Sequence, residues 1–171
     1  MHKNLYLNQK FTKFINNKNF EFDRSKILKI LNSDLLEDAY KTISKWQKYQ
    51  PTPLESLNKL SNELKLKNIF YKDESKRFGL KSFKALGGAY AVEKMTKGKK
   101  DVIVSTATAG NHGKSVAWGA KNLGLNCKIF ISENVSETRA EEMRKLNAKV
   151  IRVKGNYEDS LNLCKEESKK N

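Results

Sequence analysis

The stretch Val102-Ile103-Val104-Ser105-Thr106-Ala107-Thr108-Ala109-Gly110-Asn111-His112-Gly113 decides how the rest of the chain is read. Val102-Ile103-Val104 makes a short apolar strand. A hydroxyl-rich turn follows, and the segment from Asn111 to Leu123 has a helical period. Such a helix start turns its backbone N–H groups outward at the positive end of the helix dipole, where a carboxylate or phosphate is favoured. The hydroxyls of Ser105, Thr106 and Thr108 add donors. Asn and Gly also open helices that bind nothing, so the turn alone leaves both readings open. It matches neither the dinucleotide fingerprint nor the P-loop, which counts against NAD and ATP.

Working outward, strand and helix periods alternate. Upstream, Asn68–Lys72 reads as a strand and Phe83–Met95 as a helix rich in small residues. Downstream come a strand over Cys127–Ile131, a helix over Ser136–Leu146 opened by a capping Ser136, a strand over Ala148–Val153, and a last helix from Tyr157 to about Lys169. The order β-α-β-α-β-α-β-α predicts an α/β fold, a parallel sheet with flanking helices and right-handed crossovers. A helical N-terminal segment precedes it. Ser33 is expected to cap a helix carrying Leu35, Leu36, Ala39, Tyr40, Ile43 and Trp46, which stops before Pro51. Pro51-Thr52-Pro53-Leu54 reads as an extended connector, and Leu57, Leu60, Leu64 and Leu66 as one face of an amphipathic helix. Phe11, Phe14, Ile15, Phe20 and Phe22 suggest packing, but the Asn-rich run at 16–19 interrupts any helix there. The expected division is an N-terminal extension and helix over 1–50 and an α/β domain over 51–171.

Composition narrows the class. The 171 residues carry 34 Lys+Arg against 19 Asp+Glu, a net charge of +15. That excess would suit nucleic acid if it were clustered. It is instead spread along the chain, with its peak in the middle third, and no zinc-finger or RNA-binding motif accompanies it. No apolar run reaches the roughly 20 residues of a membrane-spanning helix, and the start Met1-His2-Lys3-Asn4-Leu5-Tyr6 has no apolar core of a secretion signal. Cys127 and Cys164 form neither a disulfide framework nor a zinc site, and His2 and His112 are the only histidines, so the expected setting is a reducing cytoplasm without a His-based metal site. Both cysteines, and Trp46 and Trp118, read as packing residues; His112 reads equally as a base or as a turn residue.

A second segment carries chemistry: Lys72-Asp73-Glu74-Ser75-Lys76-Arg77-Phe78-Gly79-Leu80-Lys81-Ser82-Phe83-Lys84-Ala85-Leu86-Gly87-Gly88-Ala89-Tyr90. Lys84 falls in the first turn of a helix among small or apolar neighbours. A lysine there becomes a Schiff-base nucleophile when its ammonium is partly desolvated. On its own Lys84 is one surface lysine among many. The run Gly87-Gly88-Ala89 is unfavourable in a helix and therefore points to close approach by another backbone or a ligand.

Together the two segments resemble the diaminopropionate ammonia-lyase family, pyridoxal-phosphate enzymes of the tryptophan-synthase-β-like group (fold type II). The resemblance rests on Asp73-Glu74-Ser75-Lys76-Arg77-Phe78-Gly79-Leu80, Ser82-Phe83-Lys84, Leu86-Gly87-Gly88-Ala89-Tyr90-Ala91 and Thr106–Gly113 with Val116-Ala117-Trp118. Tyr49-Gln50-Pro51-Thr52-Pro53-Leu54 and Ser136-Glu137-Thr138-Arg139 extend it, so that it covers about residues 33–165. The resemblance implies that Lys84 binds pyridoxal 5'-phosphate covalently and then serves as base at the substrate α-carbon. It implies that Asn111 hydrogen-bonds the cofactor ring hydroxyl, and that Phe83 packs beside the ring. The loop Thr106, Ala107, Thr108, Ala109, Gly110 and Asn111 would hold the substrate carboxylate. The implied reaction takes 2,3-diaminopropionate to pyruvate and ammonia. The implied partners are a small amino-acid substrate and a second copy or a complementing C-terminal polypeptide.

Two departures qualify the carry-over. The family has Asp before its Gly-Asn-His-Gly, where this chain has Ala109, which opens a threonine- or serine-type substrate as an alternative. The family also places its glycine-rich phosphate loop and the partner of the pyridine nitrogen downstream, whereas after Gly124 this sequence has only Gly155. The expectation is therefore an N-terminal portion of the enzyme that is inactive alone and prone to self-association. A non-catalytic remnant and a basic nucleic-acid-binding module remain the competing readings.

Overall fold

The computed structural model describes residues 23–170. The aromatic residues at Phe11, Phe14, Phe20 and Phe22, with Ile15, lie outside the described residues. The described chain falls into two compact units, the first ending at Leu36 and the second beginning at Glu37.

In the first unit, helix α1 (Arg24–Ile30) is opened by Asp23, whose carboxylate accepts the N–H groups of Ser25 and Lys26 at 2.9 and 3.3 Å. Helix α2 (Ser33–Ile43) begins here and continues into the second unit. Its cap differs from expectation: Asn32, not Ser33, accepts the Leu35 N–H through its side chain at 2.9 Å. The amide reaches the third residue on, which satisfies an N–H that the helix itself cannot. The helix stops before Pro51, as expected, but ends already at Ile43, short of Trp46, and turns carry the chain on to Tyr49.

The second unit opens with a two-stranded antiparallel ribbon. Strand β1 (Leu54–Ser56) pairs with β2 (Phe70–Lys72), Glu55 facing Tyr71. The segment Asn68–Lys72, expected as the first strand of the parallel sheet, is thus outside that sheet. After α3 (Asn58–Glu63) its residues pair with β1 over three positions and stay exposed, whereas a strand of a parallel sheet covered by helices is buried. The leucines expected to line an amphipathic face there, Leu60, Leu64 and Leu66, are exposed.

The main sheet has three parallel strands in the order β3-β4-β5: Ile103–Ala107, Asn126–Ser132 and Ala148–Val153. Val104 faces Cys127, which faces Ala148. Helices α4 (Lys84–Thr96), α5 (Asn111–Asn122), α6 (Glu137–Arg144) and α7 (Tyr157–Lys169) flank it. The α/β class with flanking helices is the one the sequence predicts. Strand β4 is buried on both faces, as the central strand of a parallel sheet must be. Its Cys127, Ile129 and Ile131 join Val116, Ala120 and Met143 in one core; Phe130 points the other way, to Ala107 and Cys164. Ser136 occupies the cap position of α6 but caps it through its carbonyl, not its side chain. Helix α7 has a full capping box, Asn156 accepting the Glu158 and Asp159 N–H groups while Asp159 accepts that of Asn156. Gly155 serves this box: a Cβ there would lie 2.1 Å from the Asp159 carboxylate.

Candidate active site

Helix α4 starts at Lys84, whose N–H donates to the hydroxyl of buried Ser82 at 3.2 Å. Lys84 and Phe83 are exposed, while Ala85, Gly88 and Ala89 turn inward. Close helix approach accounts for two of the three residues in the small-residue run, Gly88 and Ala89. A Cβ on Gly88 would sit 1.9 Å from Ser115 Oγ, and one on Gly119 would sit 2.7 Å from Ala89 Cα. Gly87 is different: a Cβ there meets nothing within 4 Å. It lies three residues after Lys84, on the same helix side, and leaves that side open.

The contacts Gly88 to Ser115 and Ala89 to Gly119 advance in the same chain direction on both helices. The starts of α4 and α5 therefore lie at the same end. Lys84 and Asn111 each stand four residues before the Gly88–Ser115 contact, about 6 Å along their own axes.

The predicted Thr106–Asn111 loop divides into three parts. Thr106 and Ala107 are the end of β3, in register with Ile129 and Phe130, and Ala107 is buried. Thr108 extends that ladder by donating its N–H to the Phe130 carbonyl at 3.2 Å. Ala109 and Gly110 make the turn, and Asn111 begins α5. Gly110 offers no side-chain cap, and the first turn of α5 carries no acidic residue. Gly113 allows the turn to close: a Cβ there would meet the Thr108 carbonyl and Met143 Sδ, each at 2.9 Å. Ser115 Oγ donates to the His112 carbonyl at 2.7 Å.

Two clefts flank this helix start. One, of about 380 Å³, lies between α4 and β3 and includes Gly88, Ser105, Thr106 and His112. The other, of about 300 Å³, includes Ala109, Gly110, Asn111, Lys114, Thr138 and Arg139. Lys84 and Phe83 line neither; they stand on the outer surface at the start of α4. Lys114 is paired with Glu142 at 3.4 Å.

Sequence reasoning missed the network that holds the loop before Lys84. Arg77 is 6% exposed. Its Nε and Nη2 donate to the Glu74 carboxylate at 2.7 and 3.0 Å, Nη1 to the Gln50 carbonyl at 2.9 Å, and Nη2 to Thr52 Oγ1 at 3.0 Å. The hydrogen-bonded guanidinium holds the Glu74 carboxyl at about 2, well below its ordinary 4.5. The Glu74-x-x-Arg77 spacing was the available signal; the partners at Gln50 and Thr52 had none. Burial pushes the Cys127 thiol up to about 12, so it is inert at neutral pH. Among the described residues no group of three or more His, Cys, Asp or Glu is placed to hold a metal ion, and no helix is long and apolar enough to cross a membrane.

Lys84 opens α4, Asn111 opens α5 with N–H groups that have no side-chain cap, and α5, on which α4 packs, lies against the parallel sheet. Residues 45–171 match the pyridoxal-phosphate dependent enzyme family, and the chain belongs to it. Within it, the chain is 36% identical over 159 residues to diaminopropionate ammonia-lyase of Salmonella typhimurium, covering 80% of this chain and 39% of that protein. It superposes with a TM-score of 0.82 at 34% identity on the Escherichia coli diaminopropionate ammonia lyase solved with an aminoacrylate-PLP azomethine reaction intermediate, covering 91% of this chain and 43% of that one. It is also 35% identical over 112 residues to a biosynthetic L-threonine dehydratase of Haemophilus influenzae, covering 65% of this chain and 21% of that protein. The chain thus spans about two fifths of the length of the ammonia-lyases it matches.

Proposed function

We propose that this chain carries the lysine-bearing part of a pyridoxal-phosphate-dependent ammonia-lyase acting on 2,3-diaminopropionate. The observation that carries the reading is the shared end of α4 and α5, where Lys84 and Asn111 each stand one turn before the same tight helix contact. The residues fit the cofactor in chemistry: an amine with solvent reach for the aldehyde, a side-chain amide for a ring hydroxyl, and an open side at Gly87 for a planar group. When bound, the cofactor supplies an electron sink for the charge left by removal of the α-proton.

In this reading Lys84 holds the cofactor and then takes the α-proton on Nζ. The β-amino group leaves as ammonia, and water completes the balance to pyruvate and a second ammonia. Asn111 orients the ring, and Phe83 covers one side of it. Of the six residues expected at the substrate carboxylate, Thr106, Ala107 and Thr108 are tied into the sheet. The role concentrates on the turn Ala109–Gly110 and the first N–H groups of α5, where the dipole favours an anion. Ala109 offers no acid or base beside the substrate, which favours a single stereochemical course and, as a second reading, a threonine- or serine-type substrate. The cytoplasm suits two free, buried thiols.

Borohydride reduction of the chain with pyridoxal phosphate, followed by peptide mass analysis, tests the reading. The expected result is a reduced adduct concentrated on Lys84 and lost in Lys84→Ala. An adduct scattered evenly over the surface lysines, or none on a folded chain, overturns it.

A further inference from the structure

Between β2 and α4 the chain follows an unusual path. Phe78 and Lys81 have φ of 49° and 57°, and Gly79 has 74°. Positive φ is unfavourable for a bulky side chain and persists only where the surroundings hold it. What holds Phe78 is visible. Its ring stacks on Trp118 of α5 with centroids 4.6 Å apart, and the Arg77 guanidinium stands 5.7 Å from its centre. Trp46 packs against both rings, at 5.8 Å from Phe78 and 5.6 Å from Trp118, and is itself fixed by Nε1 donating to Glu93 at 2.7 Å.

Arg77 reaches back from this loop to both Gln50 and Thr52. A buried arginine is rare unless fully paired, and this one spends its planar fork on a carboxylate, a backbone carbonyl and a hydroxyl at once. Thr52 also donates to Glu74 at 2.5 Å, closing the ring of bonds. Seven residues on, the backbone is caught again by Ser82 at the Lys84 N–H.

We propose that Arg77 is a positioning residue: it ties the loop over 73–82 to Gln50 and Thr52 and seats Phe78 on α5, and so fixes where the Lys84 side chain starts relative to Asn111. The inference rests on the reading of Lys84 as the cofactor lysine. A lysine at 77 would keep the charge but not the three-way fork.

The test compares the wild-type chain with Arg77→Met, Arg77→Lys and Thr52→Val. One readout needs no cofactor: hydrogen exchange of the amides over 78–84, with those of β4 as the internal reference. The other is the pyridoxal phosphate concentration that half-modifies Lys84 under borohydride. Arg77→Met is expected to speed exchange over 78–84 at least tenfold with β4 unchanged, and to raise the half-modifying concentration at least tenfold. Arg77→Lys restores only part of each, and Thr52→Val falls between. Wild-type exchange and modification in Arg77→Met, or full restoration by Arg77→Lys, overturns the proposal. If Arg77→Met does not fold, Thr52→Val decides, and wild-type exchange over 78–84 in that variant is the overturning result. Should the wild type take no cofactor on Lys84, the functional reading fails alone, and the exchange comparison still judges Arg77.

Discussion

Gly87 and Gly88 are neighbours with opposite duties, and they separate fold from function at single-residue resolution. Gly88 has Ser115 Oγ at 1.9 Å from any added Cβ, with Ser115 Cβ at 2.8 Å. Gly88→Ala should therefore push α4 off α5 and cost about 1–3 kcal/mol in urea denaturation. Gly87→Ala meets open space and removes a helix-breaking residue. It should be neutral or stabilise the fold by about 0.5–1 kcal/mol while lowering cofactor capture at Lys84, so that stability and capture move apart. Glu74 allows a second test. Its folded pKa of about 2 lies below the ordinary 4.5. The stabilisation is then complete above 4.5 and fades as pH falls through about 2. In Glu74→Gln that slope should be missing. The gap between the urea midpoints of wild type and variant, worth on the order of 1–3 kcal/mol near neutrality, should close progressively below pH ~4.5.

The elements themselves differ in how far local sequence dictates them. Helix α7 is fixed by its own first residues, since Asn156 accepts the Glu158 and Asp159 N–H groups at 2.8 and 3.3 Å. Asn156→Ala should cost about 0.5–2 kcal/mol, read as a lowered thermal midpoint, with the loss confined by hydrogen exchange to the first turns of α7. Such local signals made β3, β4, β5 and helices α4 to α7 legible from periodicity alone. The ribbon β1–β2 was not, because two three-residue strands joined by a helix announce no pairing partner, and Pro53-Leu54 reads like any extended connector. The Asn32 cap was hidden behind an equally good Ser33. At the candidate site, the helix starts at Lys84 and Asn111 were legible because a helical period begins at each after a polar stretch. Arg77 was not: the Glu74 spacing marks an ion pair without telling a buried one from a solvated one, and the other partners lie 25 and 27 residues upstream.

For the molecule as a whole, charge and exposed apolar surface pull in opposite directions. The chain carries +15. The second unit also presents Leu54, Phe70, Tyr71 and Phe83 to solvent, each more than half exposed, with Ile103 on β3, an edge strand among the described residues. An unpaired strand edge beside apolar surface favours association, while like charge opposes it. Salt weakens only the second effect, as the screening length falls from roughly 10 Å at 0.1 M to 3 Å at 1 M. Sedimentation velocity should therefore show the apparent mass rising with salt at fixed protein concentration, and Phe70→Lys with Tyr71→Lys should abolish the rise. Nucleic-acid binding through the same lysines would behave in the reverse sense, weakening steeply with salt as counterions are released. An association that dissolves as salt increases would thus count against the apolar face and return the basic surface to consideration. One that strengthens assigns the association to the apolar faces and leaves the charge as a solvated coat.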